Sequence, residues 1–406
     1  MNPTRREFLG ASLAAAAAPS RPNVLVFMSD QESALLPGPV ELPNRRRLGK
    51  GAVQFTHAFC NTPQCSAARS SLLTGLPPHR AGVLTNVDGG SLGKPLVATL
   101  PTIGSVFRKA GYSTGYFGKW HLGNESGGLE AFGFDTRGAG KGDGAVAREA
   151  AEWIRGQKGP WLAWVSVLNP HEIYSRKDVP LRPGVRPPFS DLRNLVGKPR
   201  EQTEYVEQDQ GKATRDYRTE DWLRYRSYYC QLVEKVDANL GTVLDAVPNL
   251  DSTIAVYTSD HGDALGEHGL PFKGPFMYEE EIRIPLLVRA PWGMAPGVRD
   301  DLMTSADLAH ILAPLAGLEW PGGKRTPLRD AVLLEYYAKQ KWVNPIRTIR
   351  TREWKFNWYD RGNRELYDMV NDPHELRNLA GKAATKDIES KLATRLDSWR
   401  APMITQ

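Results

Sequence analysis

Cysteine is scarce in this chain, with three in 406 residues. That excludes a disulfide framework and a zinc-type cysteine cluster, and leaves each thiol to be read as packing or as chemistry. Long apolar runs are lacking as well. The stretch from Phe8 to Ala18 is far short of the roughly 20 residues that cross a bilayer, so no stable membrane anchor is expected. Charge of one sign is not concentrated either. Lys and Arg number 52 against 46 Asp and Glu, and the only short basic runs are Arg5-Arg6 and Arg45-Arg46-Arg47. Without a clustered basic face, nucleic-acid binding is not expected. A net charge of +6 suits attraction of a small anionic substrate into a cleft. Internal repeats are absent. With 41% hydrophobic and 24% charged residues, the composition is that of an ordinary globular protein.

The segment TRREFLGASLAAAAAPS has a twin arginine, an apolar alanine-rich stretch and a small-residue exit. It reads as a twin-arginine export signal over residues 1–20, with a disordered alanine-rich tail as the other reading. The mature chain is expected to start near Ser20 to Asn23, in the periplasm or outside the cell. No cysteine precedes Cys60, which argues against a lipid-anchored cleavage site. The twin-arginine machinery carries folded proteins, which suits an enzyme that acquires a metal or a modified residue before export.

The apolar runs NVLVFMS, YSTGYFG, WLAWVSVL, STIAVYTS and IPLLVRA read as buried strands. Helices are expected after Leu42 with Asn44 as cap, over Thr99–Ala110 and Asp143–Gln157, and over Thr219–Val247. In the last, Trp222, Tyr225, Tyr229, Leu232, Val236, Leu240 and Val243 recur at helical spacing. Strands alternating with helices predict a large, mostly parallel sheet covered by helices on both faces. After about Lys324 the pattern changes. RTIRT, EWKFNWY and ELYDM read as short antiparallel strands, followed by a helix near Thr385–Trp399. We therefore divide the chain at 21–325 and 326–406, the second part a smaller antiparallel α+β subdomain. The Pro- and charge-rich stretch Ser175–Lys212 is the candidate for a surface insertion or lid.

Asp30, Lys119 with His121, His171, and Asp260 with His261 all follow predicted strand ends, where ligands gather in open α/β sheets. Any one of them is as readily a turn or loop residue; four segments bringing Asp, His and Lys to one edge point to an active site. QCSAARSSLLTG joins that edge. Its helix should begin at or just after Cys65 and stop at Gly75, so Cys65 would sit at a helix N-terminus, where amides and dipole favour an anion. Arg69 lies one turn on along the same face. The plain alternative is a buried thiol and a surface arginine.

CSAARSSLLTG resembles the signature of the formylglycine-dependent type I sulfatases, of the alkaline phosphatase superfamily. GKWHLG, NPHE, SDHGDALGEHG, KGPFMYEEEIRIPLLV and NRELYDMVNDPHELRNLA are similar to further motifs of that family, in its order, and together they span Pro22 to about Trp399. The signature's third and fourth positions, Ala67 and Ala68, depart from the more frequent proline and serine.

The resemblance implies an alkaline-phosphatase-like fold and a sulfuric ester hydrolase. Cys65 would be oxidised to formylglycine by a formylglycine-generating or anaerobic sulfatase-maturing enzyme, and its hydrate would attack sulfur. Asp30, Gln31, residue 65, Asp260 and His261 would hold a divalent metal. Calcium is favoured by the carboxylates, while Gln31 and His261 keep manganese and zinc open. Arg69 would hold the diol, Lys119 and Lys273 would bind sulfate oxygens, His121 would serve as base, and His171 would protonate the leaving oxygen. Asn86 would contact substrate. The implied substrate is a small-molecule or glycan sulfate ester. Competing readings are a phosphonate monoester or phosphodiester hydrolase on the same site, and an exported carbohydrate-binding protein without catalysis.

Overall fold

The computed structural model describes residues 21–124, 128–138, 140–175, 178–190, 195–322, 329–339 and 342–399. The expected signal, 1–20, lies outside them, as does the expected boundary at 325/326.

Strand β1 (Asn23–Asp30) sits at the centre of an eight-stranded sheet, and its alternation explains the layers. Val24, Val26 and Met28 face one apolar cluster while Leu25 and Phe27 face the other. Both faces are buried, which is why the strand reads as an unbroken apolar run. Its neighbours are β5 (Trp161–Pro170) and β6 (Thr253–Ser259), both parallel to it. Outward from β5 lie β3 (Ser113–Gly118) and β4 (Thr136–Gly138). Beyond β6 come β7 (Leu286–Arg289), β2 (Ala52–Phe59) and β8 (Gly297–Thr304), with β7 antiparallel to both neighbours.

Helices cover each face. On one lie α2 (Cys65–Thr74), α3 (Ile103–Lys109) and α7 (Asp307–Leu315), contributing Leu72, Phe107 and Leu312 to the first cluster. On the other lie α1 (Pro43–Gly49), α4 (Asp143–Gly156) and α6 (Thr219–Leu244), contributing Leu48, Ala150 and Leu240 to the second.

A second, antiparallel sheet runs β12 (Arg364–Asp368), β11 (Trp354–Tyr359), β10 (Trp342–Thr351), β9 (Ala331–Lys339). Its Val332, Leu334 and Ile346 join the first cluster, while Ile349 and Phe356 on its other face pack under α8 (Lys386–Ser398) through Leu392 and Leu396. The fold is thus the large mostly parallel sheet between helices, with a smaller antiparallel sheet after it.

Three local readings change. Asn44 is not the cap of α1: Pro43 opens that helix, and buried Asp237 of α6 accepts from the Asn44 and Arg45 N–H groups at 3.0 and 2.7 Å. A carboxylate from another helix therefore does the capping. Helix α3 starts only at Ile103, because Thr102 caps it through the Ser105 N–H. Within Ser175–Lys212, residues 176–177 and 191–194 lie outside the described residues, and α5 (Arg200–Gln208) is a packed strap. Its buried Tyr205 meets Phe276 edge-on, and Gln202 donates to Glu365 of β12 at 3.0 Å. Cys60, Cys65 and Cys230 are all free and buried.

Candidate active site

β3, β5, β1 and β6 are consecutive in the sheet, so four adjacent carboxyl ends deliver chemistry to one place. Lys119 and His121 follow β3, His171 follows β5, Asp30 ends β1 with Gln31 next, and Asp260 with His261 follow β6. Helix α2 starts at Cys65 and ends at Gly75, whose φ of 67° is the left-handed conformation that stops a helix. Asn86 Oδ1 accepts from the Ser66 N–H at 3.0 Å. This places Asn86 on the helix start that presents Cys65.

The floor of the site is sealed. Asp30, Asp260, His261, Cys65 and Arg69 are at most 1% exposed. Arg69 bridges the two carboxylates, with Nη2 2.7 Å from Asp30 Oδ2 and Nε 2.9 Å from Asp260 Oδ2. Its remaining amine donates to the Lys119 carbonyl and to Ser166 Oγ at 2.6 and 2.8 Å. So Arg69 is no surface arginine; its whole guanidinium is spent organising the floor. Lys119 Nζ lies 2.6 Å from Asp30 Oδ2. Cys65 Sγ is 3.2 Å from His261 Nε2 and 4.0 Å from Asp30 Oδ1.

One donor atom from each of Asp30, Cys65, Asp260 and His261 falls within 4.8 Å of the others. The set fits a divalent ion chemically: two carboxylates, a ring nitrogen and the atom at residue 65. His261 Nδ1 faces the Gly262 carbonyl at 2.9 Å. A carbonyl only accepts, so Nδ1 carries a proton and Nε2 is the ring's ligand atom.

The electrostatics follow from this crowding. Burial alone would raise the Asp30 carboxyl, but Lys119, with His171 and Arg69, holds it well below the usual carboxylate range. Burial would likewise raise the Cys65 thiol; Lys119, Lys273 and His261 instead pull it far down. His261 is pushed up by Asp260 against the effect of burial.

The rim is accessible. Lys119, His121 and His171 are half-buried, and the His121 ring, at a left-handed φ of 57°, faces Cys65. Its Nδ1 is buried with no hydrogen-bond partner among the described residues. Lys273 closes the other side, donating to Gln31 Oε1 at 2.6 Å beneath the Tyr174 ring. Gln31 Nε2 turns away to Asp263 at 2.7 Å.

Several residues escaped the sequence reading. Ser166 fixes Arg69; Tyr174 stacks on Phe272 and lies tilted against the His171 ring. Asp143, at the start of α4, accepts from the Leu168 and Asn169 N–H groups at 2.6 and 2.9 Å and so holds the chain leading into His171. Asp263 was inside a recognised motif, and Tyr225 was visible only as part of an apolar stripe.

A sealed carboxylate–imidazole floor, a buried thiol at a helix start and a cationic rim thus form one candidate hydrolase site at the sheet edge of an α/β fold. Comparison with known proteins narrows the class. The family model described as Sulfatase matches residues 22–318, and that described as N-sulphoglucosamine sulphohydrolase, C-terminal, matches residues 266–402. The chain belongs to the sulfatase family and is an enzyme of that kind. Among its relatives, choline-sulfatase of Rhizobium meliloti (strain 1021) is 27% identical, the alignment covering 89% of this chain and 82% of the relative. A solved 2-O GAG sulfatase superposes with a TM-score of 0.79 at 22% identity, over 93% and 92% of the two chains. The phosphonate monoester hydrolase of Agrobacterium radiobacter superposes at 0.76 with 24% identity, over 93% and 95%.

Proposed function

We propose that the chain hydrolyses sulfate esters through a formylglycine formed from Cys65. The observation that carries this is the buried meeting of Cys65 with Asp30, Asp260 and His261, under a half-buried rim of Lys119, His121 and His171. Maturation would be a two-electron oxidation that breaks the C–S bond of Cys65, releases the sulfur as sulfide and leaves an aldehyde, with the electron acceptor supplied by a formylglycine-generating or anaerobic sulfatase-maturing partner. Asp30, Asp260, His261 and residue 65 would hold a divalent ion, calcium first among candidates. Gln31 would be a fifth ligand, since its carbonyl oxygen has a second lone pair beyond the one given to Lys273. When bound, the ion lowers the cost of negative charge on oxygen at residue 65.

The aldehyde adds water to give a geminal diol. One hydroxyl gives up its proton to solvent and its oxygen forms a bond to sulfur as the ester S–O bond breaks, and His171 supplies the proton to the departing alkoxide. Lys119 and Lys273 hold the sulfate oxygens throughout. His121 then removes the proton of the second hydroxyl; the C=O double bond re-forms and sulfate leaves with the C–O electron pair. The net reaction consumes one water and releases an alcohol and sulfate.

A sulfated glycan or a small sulfate ester is the proposed substrate class, supported by the names of the relatives. We assign residues 1–20 to twin-arginine export, 21–325 to the catalytic domain and 326–406 to the C-terminal subdomain. No helix among the described residues is long and apolar enough to cross a membrane. The likeness to the phosphonate monoester hydrolase supports a second reading on the same groups. Parallel kcat/KM measurements on an aryl sulfate and an aryl phosphonate monoester, on calcium-loaded and chelator-treated enzyme, decide between them. Faster sulfate turnover that is lost on chelation and restored by calcium is expected; faster phosphonate turnover replaces the sulfatase reading with the second one.

A further inference from the structure

The proposed chemistry leaves Asp263 unused, although it is fully buried three residues from Asp260. All its partners are donors. Gln31 Nε2 donates to Oδ2 at 2.7 Å, the Tyr225 hydroxyl lies 3.0 and 2.9 Å from the two oxygens, and the Leu265 N–H donates to Oδ1 at 2.8 Å. The other end of the same Gln31 amide, Oε1, accepts from Lys273 Nζ at 2.6 Å.

An amide has two unlike ends, an acceptor and a donor. A carboxylate only accepts and an ammonium only donates, so the two neighbours together dictate which way Gln31 points. A flip would set oxygen against carboxylate and NH2 against ammonium at once. The Gln31 backbone is pinned as well. Its φ of 71° is in the left-handed region, its N–H donates to Asp260 Oδ1 at 3.0 Å, and its carbonyl accepts from the Tyr229 hydroxyl at 2.8 Å. With the backbone held, only the amide remains free, and Asp263 anchors the end that Lys273 does not.

We infer that Asp263, steadied by Tyr225, is a positioning residue that acts through Gln31 to hold the Lys273 ammonium beside residue 65. The inference rests on Lys273 being a sulfate ligand. Loss of the carboxylate leaves the Gln31 NH2 without its acceptor, so the side chain is no longer anchored and Oε1 no longer holds the Lys273 ammonium in one place.

The test is a double-mutant cycle on full-length, matured enzyme with Asp263→Asn and Gln31→Ala, alone and combined. The readouts are aryl sulfate kinetics, inorganic sulfate affinity by calorimetry and metal content per chain. Each single variant should weaken sulfate binding about tenfold and raise KM more than it lowers kcat, because the contact exists before and during reaction. With calcium held saturating in every sample, so that a weakened Gln31 ligand does not enter the comparison, the double variant should be no worse than Gln31→Ala. Losses that multiply in the double variant overturn the inference. Should Asp263→Asn fail to fold, Tyr225→Phe takes its place in the cycle, with a smaller loss that vanishes on the Gln31→Ala background. A wild-type enzyme that neither hydrolyses aryl sulfate nor binds sulfate takes down the reading of the site itself. A wild-type enzyme that does both, with Asp263→Asn indistinguishable from it, takes down this inference alone.

Discussion

Among the described residues, a pair of buried charged clusters is built to opposite ends. One is the floor at the strand ends, where Arg69 and Lys119 neutralise Asp30 and Asp260. The other lies where the second sheet meets the first. There Glu279 receives Arg350 Nε at 3.0 Å and Lys355 Nζ at 3.4 Å, and Lys355 also reaches Glu375 at 2.5 Å and the Met277 carbonyl at 2.7 Å. Glu375 in turn accepts from the Glu279 N–H at 2.8 Å. Lys119 apart, the side chains of both clusters are buried. The first leaves donor atoms converging on a point beside Cys65 and opens onto a half-buried rim. The second turns its charges on one another. Buried charge alone therefore does not mark a site; convergence of spare lone pairs beside an accessible rim does.

That contrast can be broken by exchanging one residue in each cluster. Cys65→Ala should lower turnover by on the order of 10⁴-fold or more while leaving the melting temperature close to wild type. Lys355→Met should do the reverse. It leaves Glu279 and Glu375 without their shared cation, at a cost of about 3 kcal/mol or more, while kcat per folded molecule holds. Calorimetry and active-site-normalised kinetics on the same samples check both; a Lys355→Met enzyme that is stable but inactive would dissolve the distinction.

A smaller effect sharpens it. Burial, with Glu267 and Glu375 nearby, pushes Glu280 up to about 8, and burial outweighs Lys355 to push Glu375 up to about 7. In both, the folded state binds the proton more tightly than the unfolded chain, whose carboxyl titrates near 4.5. Their contribution to stability is complete below that value and is lost as pH rises toward 7 to 8. The melting temperature should therefore fall by a few degrees between pH 5 and pH 8, and Glu280→Gln should flatten that fall. An unchanged slope in the variant would show that Glu280 is already ionised in the fold.

The two clusters also differ in how far they could be read from sequence. Asp30, Lys119, His171 and Asp260 were legible because each follows an apolar run, and a polar residue at the end of a buried strand announces an edge. Cys65 and Gly75 were legible as the start and stop of one helix. The joint was not. Glu279, Glu280 and Glu281 stand together in one acidic run, and the groups that meet Glu279, namely Arg350, Lys355 and Glu375, lie some seventy to a hundred residues on. Strands β2, β8 and β9 escaped for a related reason, since Gln54, Thr56, Arg299, Asp300 and Glu335 interrupt their apolar pattern. Tyr225 hid in the apolar stripe of α6 because its ring is core while its hydroxyl belongs to Asp263. Asp237 likewise caps a helix distant in the chain. Local pattern shows where chain segments end; it does not show which distant group meets them.

Mass spectrometry of the peptide spanning Phe59 to Arg69, from protein made alongside an active maturation system, tests the central claim most directly. The account predicts a peptide lighter than the unmodified one by the exchange of a thiol and a hydrogen for a carbonyl oxygen at Cys65. An intact thiol in enzyme that still hydrolyses sulfate esters would contradict it.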